Sequence, residues 1–257
     1  MSFKGRVEGF KSGLVIGSHV RNTDFWAIAF GRPSAFLLLI LCGDIKWVTP
    51  NRLTHMSNLL MLAGILVLFD QSYESMVWSA ILLNVSITFD SADGQLARYR
   101  GCGTELGSYY DKIADYLGHI PVFGMLGWLA VEQTGESYYM LLALVALSGL
   151  LTTGYAKWVV EAAALRHGVV LTEPAPASPP KMSAGTYIGK TFLALFRFAE
   201  PDLYFWIAIG LICNELEILL WALMISQVIV GVGASVYRGV QADKIDKELQ
   251  KRARADS

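Results

Sequence analysis

Residues 90–115 read DSADGQLARYRGCGTELGSYYDKIAD, and this stretch places four aspartates in an otherwise strongly apolar part of the chain. Asp90 and Asp93 end one apolar segment, and Asp111 and Asp115 lie inside the next. An ionised carboxylate near membrane hydrocarbon costs roughly 2.5–3.5 kcal/mol. Four of them need a functional reason, and the segments that carry them read as two membrane helices.

The spacing of the aspartates places each pair on one helix face. An α-helix turns about 100° per residue, so Asp90 and Asp93 lie about 60° apart and Asp111 and Asp115 about 40° apart. A short turn at 99–103 predicts two adjacent antiparallel helices that bring the carboxylates together. Unneutralised carboxylates repel each other, and oxygen-only ligands suit Mg²⁺ or Mn²⁺. The sequence therefore predicts a site for two such ions and a phosphate-bearing substrate.

The composition of the chain agrees with a membrane location. Of the 257 residues, 54% are hydrophobic and only 17% are charged, and the mean hydropathy is +0.43. A soluble domain carries about 25% charged residues. This composition excludes a largely disordered chain, and the distant Cys42, Cys102 and Cys213 exclude a disulfide scaffold. The net charge of −1 gives no indication of a nucleic-acid partner, and none is expected.

We predict an all-α integral membrane protein with six transmembrane helices of about 20 residues each. These cover approximately 53–70, 75–97, 105–130, 139–163, 201–213 and 216–237. Before them, residues 24–48 mix aromatic residues, Pro33 and charges, which predicts an interfacial or partly inserted helix. The predicted regions are a cytoplasmic arm with that helix at 1–48, a six-helix membrane domain at 49–237, and a charged cytoplasmic tail, a frayed helix, at 238–257.

The distribution of positive charge predicts the orientation. The connections at 71–74, 131–138 and 214–215 contain no lysine or arginine, whereas the connections on the other side contain several. By the positive-inside rule, that other side and both termini are cytoplasmic. The prediction is a multi-pass protein of a prokaryotic inner membrane with its site at the cytoplasmic face. No cleavable signal peptide is expected, because charges precede any long apolar run.

The aspartate segment resembles the signature of the CDP-alcohol phosphotransferases, also called CDP-alcohol phosphatidyltransferases, which is D-x2-D-G-x2-A-R-x8-G-x3-D-x3-D. All eight fixed positions match, and they are Asp90, Asp93, Gly94, Ala97, Arg98, Gly107, Asp111 and Asp115. Pro50, Asn51 and Thr54 also resemble the P-N-x-x-T element that leads into the first core helix of the family. The resemblance extends more weakly over about 49–237.

The resemblance implies a membrane enzyme of phospholipid biosynthesis that transfers a phospho-substituent from a CDP-linked donor to an alcohol and releases CMP. It implies that Asp90, Asp93 and Asp111 are metal ligands, and that Asp115 is the general base and also touches a metal. The residues expected to bind or shape the CDP site are Gly94, Ala97, Arg98, Gly107, Asn51 and Thr54. A homodimer is a further expectation from the family.

The acceptor is less determined than the donor site. Lys157 and Arg197, together with Lys190, are expected either to form a basic pocket for a phosphate-bearing acceptor or to extend to the membrane interface. Because Glu200 and Asp202 carry carboxylates, the acceptor could instead be a cationic or neutral alcohol. The expected donor is CDP-diacylglycerol, which gives phosphatidyl transfer. The alternative is a choline- or ethanolamine-type enzyme that moves a phospho-headgroup from a CDP-alcohol to a lipid.

Two other classes of protein also fit an apolar sequence that contains aspartates. An ion- or proton-coupled transporter uses intramembrane aspartates, but it predicts broken helices at corresponding positions of two halves, and the sequence shows none. An inactive scaffold of the same fold would be expected to lack one or more aspartates. His119, one turn after Asp115, is open to two interpretations, a proton relay or a hydrogen-bonded structural histidine.

Overall fold

The structure is a computed structural model that describes residues 25–171, 195–198 and 200–255, together with the single positions 7 and 189. Within these ranges every regular element is a helix. A π-helical turn, Ala27–Gly31, precedes the first helix. The helices are α1 (Arg32–Cys42), α2 (Pro50–Val67), α3 (Tyr73–Arg100), α4 (Glu105–Thr134), α5 (Tyr138–Arg166), α6 (Glu200–Cys213) and α7 (Leu216–Ala255).

Helices α2 to α7 lie over the six segments predicted to span the membrane. Three helical segments are long and apolar enough to cross a bilayer, and they are Pro50–Asp70, Tyr138–Arg166 and Leu216–Arg254. Two shorter apolar helices cover Ala27–Cys42 and Pro201–Cys213. The all-helical architecture is therefore as predicted, and a count of six membrane crossings stays a prediction.

The helix flanking the predicted membrane domain packs along α3. Ala35 and Leu39 of α1 are buried against Ala92 and Leu96 of α3. Gly31 allows this approach, because a Cβ there would lie 3.0 Å from the Ser91 hydroxyl. Pro33 lies in the first turn of α1, where proline is tolerated because its missing N–H has no helical partner. Within the predicted segment 24–48, helix therefore covers Ala27–Cys42 and packs on the segment that carries Asp90, and its interfacial position stays a prediction.

Local capping signals decide where the site helices begin and end. The Thr49 hydroxyl accepts a hydrogen bond from the Arg52 amide at the start of α2, and the Thr104 hydroxyl accepts one from Gly107 at the start of α4. Gly101 ends α3 with φ of 62°, a left-handed conformation that glycine adopts without strain. These caps set the register of the two aspartate pairs.

Helix α2 is the central packing element of the site. It packs extensively on α3 and also contacts α4, whereas α3 and α4 approach each other at far fewer points. The sequence predicted that α3 and α4 are simply adjacent. Their backbones come close at few positions, and α2 contacts both. The two aspartate helices are therefore joined mainly through α2.

Residues 238–255 continue α7 instead of fraying. Ile245 of α7 is buried with Val160 and Ala164 of α5. The guanidinium of Arg252 donates hydrogen bonds to the carbonyls of His167 and Gly168, at 3.1 and 3.2 Å. The tail predicted at 238–257 is therefore a packed helix as far as Ala255, because it satisfies the carbonyls at the end of α5.

Helices α5 and α7 pack with their backbones close together at Gly149. A Cβ at this position would overlap the backbone of Gln227, and Gly231 packs against Gly149 from α7. Small residues allow this approach between membrane helices. Gly149→Ala is expected to lower stability by about 1–3 kcal/mol through overpacking, measured as a lower thermal midpoint in detergent.

The matched control is Gly124→Ala on α4, where a Cβ meets no atom within 4 Å. This variant is expected to melt at or above the wild-type temperature, because alanine is the better helix former. Equal melting temperatures for the two variants would contradict close packing at Gly149.

Candidate active site

Three of the four aspartates converge between α3 and α4. Asp90, Asp93 and Asp111 each offer a carboxylate oxygen, and these oxygens all lie within 4.8 Å of one another. Asp93 is buried, with 6% of its surface exposed, and the other two are partly buried. Carboxylate oxygens this close suit a hard dication such as Mg²⁺ or Mn²⁺. The donor set therefore fits the metal expected from the sequence.

The position of Asp93 is supported from α2. The Thr54 hydroxyl donates a hydrogen bond to the Asp93 carboxylate and lies 3.2 Å from the Pro50 carbonyl. A buried carboxylate needs such a partner, since burying it alone is costly. Thr54, which the family resemblance assigned to nucleotide binding, thus contacts a member of the aspartate cluster directly.

A cavity of about 760 Å³ opens beside this cluster. Its size falls within the range of about 300–1,000 Å³ typical of small-molecule sites. Every residue expected to contact the CDP moiety lines it, and these are Asn51, Thr54, Gly94, Ala97, Arg98 and Gly107. Asp93 and Asp111 belong to the same wall. The structure therefore brings the predicted nucleotide residues together around one space; their role stays a prediction.

Two glycines of the signature make room at this cavity. A Cβ at Gly94 would lie 3.3 Å from Nη1 of Arg98, so the guanidinium folds back over the glycine. A Cβ at Gly107 would lie 3.1 Å from the Thr104 hydroxyl and 3.6 Å from Oδ1 of Asn51. Larger residues at either position would displace these polar groups into the cavity.

The fourth aspartate faces a different space. Asp115 is not part of the three-carboxylate set; it lines a cavity of about 90 Å³ together with Asp90. The other residues of this small cavity are Ser57, Met61, Ser86, Ile87, His119, Pro201 and Tyr204. The aspartates are thus divided, with Asp93 and Asp111 on the large cavity and Asp90 and Asp115 on the small one.

Two residues beside the site, Arg100 and Thr104, were missed at the level of sequence. Arg100 donates to the carbonyls of Val48, Gly43 and Ile45 at 2.6, 2.7 and 3.0 Å, which holds the α1–α2 connection against the end of α3. No local pattern indicates this role. Thr104 was detectable, because a threonine directly before Glu105 is a helix N-cap signal.

The predicted basic acceptor pocket is not brought together by the described residues. The Lys157 ammonium lies over the Trp158 ring, 5.5 Å from its centroid, and Lys157 lines neither of the two cavities at the aspartates. Arg197 ends a 3₁₀ turn, Leu195–Arg197, and Lys190 lies outside the described residues. The basic pocket therefore stays a prediction.

An apolar groove lies on the other side of α4, between α4 and α5. It encloses about 730 Å³, and its apolar and aromatic lining residues are Tyr109, Ile113, Tyr116, Leu151, Tyr155 and Trp158. Ser108 and Lys112 line both this groove and the 760 Å³ cavity. The site thus has an apolar surface one helix away from the aspartates.

Comparison with known proteins identifies the class. A model of the CDP-alcohol phosphatidyltransferase family matches residues 47–232. This match covers most of the chain, including all four aspartates and the helices α2 to α6. The chain belongs to the CDP-alcohol phosphatidyltransferase family.

Individual relatives share one name. Phosphatidylinositol phosphate synthase of Corynebacterium glutamicum is 36% identical over 101 residues, which are 39% of this chain and 43% of that protein. The protein of the same name from Mycolicibacterium smegmatis is 29% identical over 128 residues, or 49% of this chain and 57% of that protein. The chain spans about half the length of the curated relatives it matches.

A solved structure shares the fold. The crystal structure of Mycobacterium tuberculosis phosphatidylinositol phosphate synthase with CDP-DAG bound matches with a TM-score of 0.50 at 22% identity. The match covers 83% of this chain and 91% of that one. This similarity supports the same helical architecture.

Proposed function

We propose that this protein transfers a phosphatidyl group from CDP-diacylglycerol to the hydroxyl of a small polar alcohol and releases CMP. The observation that carries the proposal is the division of the aspartates. Asp93 and Asp111 line a nucleotide-sized cavity, and Asp115 lines a separate small cavity with Asp90. In a member of this family, that arrangement supports a donor on one side and an attacking hydroxyl on the other.

The donor is assigned to the 760 Å³ cavity. Arg98 presents a planar guanidinium that forms paired hydrogen bonds with phosphate oxygens, and Gly94 leaves the space beside it. Asn51 lines the wall contributed by α2. These residues bind and orient the nucleotide so that its pyrophosphate lies against the aspartate cluster.

Asp90, Asp93 and Asp111 are the residues that would hold the divalent ions. When bound, such ions neutralise the charge on the pyrophosphate and on the departing CMP. Thr54 keeps the Asp93 carboxylate oriented through its hydrogen bond. The carboxylates thus fix where the phosphate of the donor lies relative to Asp115.

Asp115 is assigned the role of general base. It accepts the proton of the acceptor hydroxyl, whose oxygen attacks the lipid-bearing phosphorus in line. A new P–O bond forms to the alcohol, and the P–O bond to CMP breaks. The proton remains on Asp115 until it passes to solvent. The small cavity admits the reacting hydroxyl beside this carboxylate.

The acceptor proposed first is inositol phosphate. Two relatives bear the name phosphatidylinositol phosphate synthase, which supports a phosphate-bearing acceptor over choline or serine. Lys157 and Arg197 stay the proposed contacts for that phosphate. A cytoplasmic site and a homodimer stay expectations from charge distribution and from the family.

The test is CMP release by the purified protein in detergent with Mg²⁺ and CDP-diacylglycerol. Inositol phosphate, glycerol phosphate, inositol, serine and choline are added one at a time. CMP that appears with inositol phosphate alone is the expected result. A parallel assay supplies CDP-choline and diacylglycerol, and CMP formed only there would instead establish the headgroup-transfer alternative. No CMP in any combination would refute the proposal.

Arg98→Ala is expected to raise the Kd for CDP in the presence of Mg²⁺ by about 10- to 100-fold, because a hydrogen bond to a charged group contributes about 1.5–3 kcal/mol. Calorimetric titration measures the change. Arg166→Ala is the matched control, since this exposed arginine ends α5 and lines neither cavity at the aspartates. An unchanged affinity in Arg98→Ala would remove Arg98 from the nucleotide site.

A further inference from the structure

A buried histidine and a buried tyrosine form a pair in the wall of the small cavity. His119 is 3% exposed and Tyr204 is 4% exposed. Nδ1 of His119 lies 3.3 Å from the Tyr204 hydroxyl. The partners are 85 residues apart in the chain, so this contact depends on the docking of α6 against α4. A buried imidazole is stabilised only when it has such a partner.

His119 lies where it can act on Asp115. The two residues are four positions apart on α4, so they lie on one helix face, and both line the small cavity. The two serines of the cavity use their hydroxyl protons elsewhere. Ser57 donates to the Ser86 carbonyl at 2.9 Å, and Ser86 donates to the Leu83 carbonyl at 2.7 Å.

The other side chains that line the small cavity limit which groups could donate a hydrogen bond to Asp115. Met61, Ile87 and Pro201 carry no N–H or O–H group, and Asp90 as a carboxylate only accepts. Besides the two serines, His119 and Tyr204 are the side chains of this cavity that carry an N–H or O–H group, and the Tyr204 hydroxyl also lies 3.8 Å from the Met61 sulfur. A base that must point at one substrate atom needs an orienting group of this kind.

Tyr204 is itself held by other helices. Its carbonyl lies 3.4 Å from the amide nitrogen of Asn84 on α3, and Oδ1 of Asn84 accepts a hydrogen bond of 2.7 Å from the Trp26 indole. Asp202, two residues before Tyr204, accepts a hydrogen bond of 2.6 Å from the Trp26 backbone amide. The pair is thus supported by packed elements, which is what accurate positioning of a reacting group requires.

We propose that His119, held by Tyr204, is a positioning residue that orients the Asp115 carboxylate toward the acceptor hydroxyl. This inference rests on the proposed function, and it adds a residue outside the eight-position signature. It chooses between the two interpretations that the sequence left open, because it assigns His119 an orienting hydrogen bond and no proton transfer.

The test compares His119→Phe with His119→Gln in the CMP-release assay. His119→Phe keeps the approximate size of the ring and removes its hydrogen bonds. It is expected to lower kcat about 10- to 100-fold, since small misplacement of a reacting group costs that much, with KM for donor and acceptor unchanged. His119→Gln keeps a polar nitrogen and is expected to recover most of the lost kcat. His167→Phe, at an exposed histidine after α5, is the control.

Tyr204→Phe removes a single oxygen and keeps the ring, so it also tests the pair if His119→Phe fails to fold. Like His119→Phe, it is expected to lower kcat. It should have no further effect in the His119→Phe background, because the effects of substitutions at residues that act through one another are not additive. Thermal midpoints close to wild type are expected for the variants that are compared.

Each contrary outcome has a distinct meaning. Full kcat in His119→Phe, or equal losses in His119→Phe and His119→Gln, would overturn the positioning role. The proposed function would still be supported as long as the wild-type protein releases CMP. A raised acceptor KM at unchanged kcat would make His119 a substrate contact instead. Absence of wild-type CMP release with every acceptor would refute the proposed function, and the positioning role would fall with it.

Discussion

Asp115→Asn is expected to lower kcat for CMP release by about 10²–10⁴-fold, the contribution of a positioned general base. Asparagine has nearly the same shape as aspartate, so the small cavity that Asp115 lines with Asp90 keeps its volume. What is lost is the ability to accept the proton of the acceptor hydroxyl. Binding of CDP should be nearly unchanged, because Asp115 does not line the 760 Å³ cavity.

Asp70→Asn is the control for this substitution. Asp70 is exposed in the turn after α2 and lines neither cavity at the aspartates. It should leave both kcat and the CDP affinity at the wild-type values. Wild-type turnover in Asp115→Asn would show that another group removes the proton.

Removal of divalent cations is the second change expected to have a large effect. Chelation with EDTA should lower CMP release more than about 100-fold, because a metal ion contributes several kcal/mol of charge stabilisation at a phosphoryl centre. Mg²⁺ or Mn²⁺ should restore it. Three carboxylates whose oxygens lie within 4.8 Å of one another would also repel strongly without a cation.

The metal prediction has a readout that does not depend on turnover. Titration with Mn²⁺, followed by electron paramagnetic resonance, should show two bound ions per chain in the wild type and weaker binding in Asp111→Asn. Asp243→Asn is the control, because that carboxylate is exposed on α7 and pairs with Lys247 at 2.6 Å. Identical Mn²⁺ binding in the wild type and Asp111→Asn would exclude Asp111 as a ligand.

The eight-position signature predicted which residues lie close together, and their roles in the site stay predictions. All the signature residues except Asp115 lie in the cluster or the wall of the large cavity, because they share helix faces at fixed angular spacing. Thr49 and Thr104 at helix starts, and Gly101 at the end of α3, explain why the helix boundaries follow from local chemistry. The acceptor pocket stays a prediction, and the described structure places the Lys157 ammonium over the Trp158 ring and outside the lining of both cavities at the aspartates.

The sequence by itself determined the helical class, the order of the apolar segments, the spacing of the aspartates and the family resemblance. All of these depend on periodicity and capping within one helix or two consecutive helices. Only the tertiary structure decided that α2 contacts both α3 and α4, that Thr54 holds Asp93, and that His119 meets Tyr204. Thr54 and Asp93 are 39 positions apart in the chain, and His119 and Tyr204 are 85 positions apart. They arise from how helix faces pack, which local periodicity does not specify.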